Sequence, residues 1–87
     1  AVYIPLPTGL HFEWAIKALR HNKHILVEKS LANTYDEVSQ IVALAKEKNL
    51  LVCENFMFEY HRQFGLIKNI IKNGTLGSLR CIRSSFG

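Results

Sequence analysis

Three consecutive residues, Glu28-Lys29-Ser30, follow the apolar run His24-Ile25-Leu26-Val27 and precede a helix-like segment. If that run is a buried parallel strand, Lys29 stands at its carboxyl end, the edge at which open α/β sheets bind ligands. A carbonyl that accepts hydride develops negative charge on its oxygen, and a positioned ammonium both stabilises that charge and supplies the proton. Lys29 fits such a role; the alternative is a lysine that only ties down its loop. Glu28, adjacent on an extended segment, is expected to point to the opposite face rather than pair with Lys29.

The surrounding pattern supplies the strands that such an edge requires. Ala1-Val2-Tyr3-Ile4 is short, apolar and β-prone, and it stops at Pro5 and Pro7, which lack a backbone N–H. Thr8 is expected to cap a helix that runs to about His21, with Leu10, Ala15, Ile16, Ala18 and Leu19, joined by Phe12 and Trp14, as its buried face. Asn22 suits a left-handed exit from that helix, and His24 to Val27 forms the second strand. Thr34 with Glu37 makes a capping box for a helix from about Tyr35 to Lys48, whose Val38, Ile41, Val42 and Ala45 share a face. Asn49 ends it, and Leu50 to Cys53 is the third strand, again followed by glutamate, Glu54. The asparagines stand 27 residues apart and the glutamates 26, so one unit recurs twice. This βαβαβ rhythm, with short turns and right-handed crossovers, predicts a single parallel sheet.

Parallel strands share one carboxyl edge, so Pro7, Thr8 and His11, then Glu28, Lys29 and Ser30, then Glu54 and Asn55 are expected to converge there. His11 is open to two readings, a bond to a cofactor or a cap on its own helix. Beyond Cys53 the rhythm changes to an aromatic stretch, Phe56-Met57-Phe58-Glu59-Tyr60-His61. A helix follows from about Arg62 to Asn73, with Phe64, Ile67, Ile70 and Ile71 inward, ended by Gly74. Leu79 to Phe86 alternates loosely, like the first strand of a second sheet. Phe56 and Met57 read as packing between two subdomains, while Phe58 and Tyr60 are either packing or a wall against a sugar ring.

Composition narrows the classes. The chain has 87 residues, 48% hydrophobic and 21% charged, with net charge +4, which describes a soluble globular piece. Eleven Lys and Arg are scattered from Lys17 to Arg83, which speaks against a nucleic-acid surface. No apolar run approaches the roughly 20 residues that span a bilayer, and the expected location is the cytoplasm. Cys53 and Cys81 form no C-x-x-C pair and read as small buried hydrophobes. His11, His21, His24 and His61 form no metal-binding spacing, so no metal is expected; His21 and His24 read as structural residues of a surface turn. No serine sits in a G-x-S-x-G elbow.

Pro7-Thr8-Gly9-Leu10-His11, Glu28-Lys29-Ser30 after a strand, and the turn Asn73-Gly74-Thr75-Leu76-Gly77 together resemble the glucose-fructose oxidoreductase / inositol dehydrogenase family of NAD(P)-dependent sugar oxidoreductases. Glu54-Asn55-Phe56-Met57-Phe58 with Tyr60 and His61 is similar to its branch of nucleotide-sugar (NDP-hexose) 3-ketoreductases. The resemblance covers essentially the whole chain. It implies the second half of a Rossmann-type nucleotide-binding domain over residues 1–60, then a connecting helix and the start of an α+β substrate and oligomerisation domain over 61–87. It implies hydride transfer between NAD or NADP and a sugar or keto-sugar, or, alternatively, a non-catalytic nucleotide-binding sensor on the same fold. Lys29 would be the catalytic residue, lying between nicotinamide and substrate. Pro7, Thr8, His11, Glu28, Lys29 and Asn55 would face the cofactor, and Lys29, Phe58 and Tyr60 the substrate. Partners would be a small sugar or nucleotide-sugar, with no nucleic acid or membrane, and a second copy through the C-terminal domain.

The match departs from the family at two points. The family's Glu-Lys-Pro has Ser30 in the proline position, which is expected to remove a fixed φ and any cis peptide bond, and Thr8 stands where asparagine is usual. No G-x-G-x-x-G is present, the glycines falling at 9, 65, 74, 77 and 87, so the phosphate-binding turn and the residue that selects NAD or NADP lie outside these residues. The 87 residues alone are therefore expected to be inactive.

Overall fold

The computed structural model describes residues 1–85 and 87. Three strands, β1 (Val2–Ile4), β2 (Ile25–Glu28) and β3 (Val52–Asn55), alternate with the helices α1 (Thr8–Arg20) and α2 (Tyr35–Glu47). A 3-10 turn at Met57–Tyr60 and the helix α3 (Arg62–Lys72) complete the ordered elements. All pairings are parallel in the order β1-β2-β3, with Ile4 opposite Val27, Val27 opposite Glu54, and Glu28 opposite Asn55. Successive crossovers of one hand in one direction place both helices on the same sheet face. That face carries the core: Ile4, Ile25 and Val27 from the strands, Ala15 and Leu19 from α1, Ile41 and Ala45 from α2, and Leu31 and Ala32 from the loop after β2.

The helix ends follow from their residues. Thr34 and Glu37 form a complete capping box, Thr34 Oγ1 accepting from the Glu37 N–H at 3.2 Å and Glu37 Oε2 from the Thr34 N–H at 3.2 Å. Asn22 and Asn49 adopt positive φ of 56° and 54°, where asparagine is tolerated better than most residues. Both close a Schellman motif: Lys23 N–H reaches Ala18 C=O at 3.0 Å, and Leu50 N–H reaches Ala45 C=O at 2.9 Å.

Several expectations give way. Thr8 does not cap α1; it is the first helical residue, the cap position is Pro7, and no side chain caps that end. Leu10 and Trp14 are exposed rather than buried, Trp14 lying under the Lys17 ammonium at 4.7 Å, and Val42 sits at the rim of its helix face. The third strand begins two residues later than Leu50, because the Leu50 N–H is used to close α2. Cys53 is exposed: it lies opposite Leu26, on the sheet face away from the helices, and Cys81 is exposed as well. Residues 79–85 form no strand, since a strand exists only where a neighbour accepts its hydrogen bonds; the predicted end of that strand, Phe86, lies outside the described residues.

The chain divides into two compact units, Ala1–Phe56 and Met57–Gly87, four residues before the boundary expected after 60. In the second unit His61 Nδ1 accepts from the Gln63 N–H at 3.2 Å and so caps α3, and Gly74 ends that helix at φ 71°. None of α3 is buried; Phe64 and Ile70 are partly covered, while Ile67 and Ile71, expected inward, are exposed.

Candidate functional site

The carboxyl edge of the sheet assembles in layers. Glu28, the last residue of β2, accepts at one oxygen, Oε1, from Asn55 Nδ2 at 2.6 Å and from the Tyr3 hydroxyl at 2.7 Å. The three residues come from three strands and share the sheet face away from the helices. Donation from Asn55, and secondarily from Tyr3, holds the Glu28 carboxyl below the usual carboxylate range. Tyr3 is pushed the other way: the bond to Glu28, then burial and the neighbouring negative charge, raise its phenol.

On the opposite face the turn after β2 is tied to the interior. His11, fully buried in the first turns of α1, directs Nδ1 at the Ser30 carbonyl at 2.7 Å and Nε2 at the Leu6 carbonyl at 2.6 Å. Glu54 Oε1 accepts from the Leu31 N–H at 2.9 Å. Lys29 stands between these two sets of bonds. Glu28 before it is bonded to Asn55, and Ser30 after it is bonded to His11. Lys29 itself is exposed, and its ammonium has no ion-pair partner among the described residues.

The residues singled out in the sequence lie as follows in the fold. His11 caps no helix, and both of its ring nitrogens face backbone carbonyls, those of Ser30 and Leu6. The peptide bond between Lys29 and Ser30 is cis, contrary to the expectation that serine in place of proline removes it; the Ser30 carbonyl and the Leu31 N–H on its far side are both held by side chains. Pro7 is exposed and Thr8 half-buried at the head of α1. In the other unit, Phe58 and Tyr60 are exposed, Phe58 with its ring 5.6 Å from that of Phe64. Met57, expected to pack, is also exposed.

Tyr3 and Glu54 are the contributors that the sequence reading left without a role. Strand alternation would have grouped Tyr3 with Glu28 and Asn55, but only once the register was known. Glu54 was visible as the second glutamate of the repeat, yet the repeat is offset by one residue from the register. Glu28 pairs with Asn55, not with Glu54, so the two glutamates point to opposite faces.

Among the described residues no group of three His, Cys, Asp or Glu side chains could hold a metal ion, and no helix is long and apolar enough to cross a membrane.

A parallel sheet with its polar residues gathered at the carboxyl edge is the architecture of nucleotide-binding α/β domains, and residues 1–56 match the model of the oxidoreductase family with an NAD-binding Rossmann fold. The chain belongs to that family. It is 42% identical over all 87 residues to the dTDP-3,4-didehydro-2,6-dideoxy-alpha-D-glucose 3-reductase of Saccharopolyspora spinosa, covering 26% of that protein. To the enzyme of the same name from Actinomadura kijaniata it is 42% identical over 86 residues, 99% of this chain and 26% of that protein. The crystal structure of a 3-ketoreductase from Actinomadura kijaniata in complex with NADP and TDP-benzene superposes with a TM-score of 0.79 at 43% identity, over 85% of this chain and 23% of that one. The chain thus spans about a quarter of the length of the curated relatives it matches.

Proposed function

We propose that the full-length protein is a nicotinamide-dependent reductase of a keto-sugar carried on a nucleotide, with Lys29 as proton donor and charge stabiliser. The supporting observation is the exposed Lys29 ammonium at the carboxyl edge of the sheet, flanked on both sides by residues fixed by hydrogen bonds. The relatives named as 3-reductases of a dTDP-linked sugar, and the NADP in the related crystal structure, favour this substrate and cofactor class.

The residues present fit such a cofactor. The edge offers Pro7 and Thr8 at the head of α1, whose first N–H groups lack helical partners, together with Asn55 and Lys29. Bound there, NAD or NADP would supply the hydride. Lys29 would then donate its proton to the substrate's carbonyl oxygen and stabilise the charge that develops on it, while Glu28 and Asn55 hold the strand end beneath.

Replacing Lys29 with alanine in the full-length protein tests the assignment. Turnover of a dTDP-linked keto-sugar, followed by nicotinamide absorbance, is expected to fall about 10²- to 10³-fold, with nucleotide affinity and melting temperature retained. Near wild-type turnover in a folded variant would overturn it. Ser30 in the proline position motivates a second reading, a non-catalytic sensor that binds nicotinamide nucleotide. Its signature is binding of the nucleotide without acceleration of its oxidation by any carbonyl compound.

A further inference from the structure

We infer that Glu54 and His11 are positioning residues for Lys29: from the helix-covered side of the sheet they clamp the turn that carries it. The inference rests on Lys29 being the proton donor, and it adds the groups that determine where its ammonium is delivered.

The clamp has two arms of different chemistry. Glu54, one residue before the end of β3, has its side chain on the core face, opposite Val27, and uses one carboxylate oxygen to hold the Leu31 N–H at 2.9 Å. A carboxylate that accepts from a backbone N–H makes a bond roughly twice as strong as a neutral one. His11 is wholly buried and bridges two carbonyls, that of Leu6 in the turn before α1 and that of Ser30 beside Lys29. His11 therefore couples the turn before α1, which carries Leu6 and Pro7, to the turn carrying Lys29. Either arm, if lost, frees one side of a two-residue segment immediately after the lysine.

Loss of aim falls on the chemical step rather than on folding or nucleotide affinity. Displacing a reacting group by about 1 Å can cost on the order of 10²-fold in rate. Glu54 supports a decisive set of variants because its function here is that of an acceptor: Glu54→Gln keeps a side-chain oxygen at the same reach, Glu54→Ala removes it, and Glu54→Asp withdraws it by one methylene.

The experiment measures kcat, KM for a dTDP-linked keto-sugar and Kd for NADPH on the full-length protein with each variant, beside Lys29→Ala. We expect Glu54→Ala and Glu54→Asp to lose about 10- to 100-fold in kcat with Kd for NADPH within about 2-fold of wild type, and Glu54→Gln to recover most of the loss. Should Glu54→Ala fail to fold, Glu54→Asp carries the comparison. Wild-type kcat in Glu54→Asp, or a glutamine variant as impaired as the alanine one, overturns the inference while leaving Lys29 in place. Wild-type turnover in Lys29→Ala instead overturns the reading on which it rests.

Discussion

The two faces of one three-stranded sheet carry different kinds of residue within the same short strands. Ile4, Ile25, Val27 and Glu54 face the helices, while Tyr3, Leu26, Glu28, Cys53 and Asn55 face away. On the covered face, apolar side chains bury against α1 and α2, and the one acid there, Glu54, is satisfied by a backbone N–H. On the open face, the polar groups satisfy one another through Glu28. The candidate site lies where the two faces meet, at the carboxyl edge, so that a single turn is held from below by packing and backbone bonds and from above by a polar cluster. The residues on either side of Lys29, Glu28 and Ser30, are thereby held by hydrogen bonds from opposite faces.

Neighbouring residues in β2 give the sharpest test of that division. Ile25 is 3% exposed and Leu26 is 36% exposed, although they are consecutive and similar in size. Ile25→Ala is expected to cost about 2 to 5 kcal/mol in urea denaturation, transfer and cavity terms together. Leu26→Ala should cost about 1 kcal/mol, a partial transfer term only. Equal losses in the full-length protein would break the comparison by showing that the open face is covered there.

How far the sequence disclosed this arrangement depends on the scale of the signal. The βαβαβ order, the capping box at Thr34 and Glu37, and the left-handed asparagines at 22 and 49 were all legible, because each rests on chemistry within a few neighbouring residues. Strand register was not. It is set by how the Leu50 N–H closes α2 and by which residue of β3 meets Glu28, both products of tertiary packing. The error was two residues at the start of β3, and a repeat in which Glu54 had seemed equivalent to Glu28 separated into opposite roles. His11 shows the same limit: its position in the first turns of α1 was clear from the sequence, but its two carbonyl partners belong to segments 5 and 19 residues away.

A smaller effect tests the covered side through α2, the helix that buries Ile41 and Ala45. Thr34→Ala removes the acceptor for the Glu37 N–H and is expected to lower stability by about 1 kcal/mol. Lys29-dependent turnover should be unchanged, because the cap lies outside both arms of the clamp. A change of similar size in kcat at unaltered KM would instead mean that α2 and the Lys29 turn move together.

The smallest effect belongs to the open face and appears only as pH changes. Glu28 is held below the usual carboxylate range in the folded chain, first by Asn55 and then by Tyr3, so its ionised form is the one that folding favours. Its contribution is present above the ordinary carboxylate pKa of about 4 and disappears as pH falls through the lowered folded value. Tyr3 has the opposite sign: its raised phenol contributes below the ordinary tyrosine value of about 10 and is lost as pH rises through the folded one. Replacing Glu28 with glutamine should therefore lower stability at neutral pH, and the wild-type and variant curves should converge as the solution is acidified below about pH 4. Tyr3→Phe should move the Glu28 carboxyl back toward its ordinary range, read by carbon NMR of the side chain, but less than Asn55→Ala does, since the Asn55 donor is the larger cause. A larger displacement in Tyr3→Phe would reverse that ranking and make the phenol, rather than the amide, the main support of the open face.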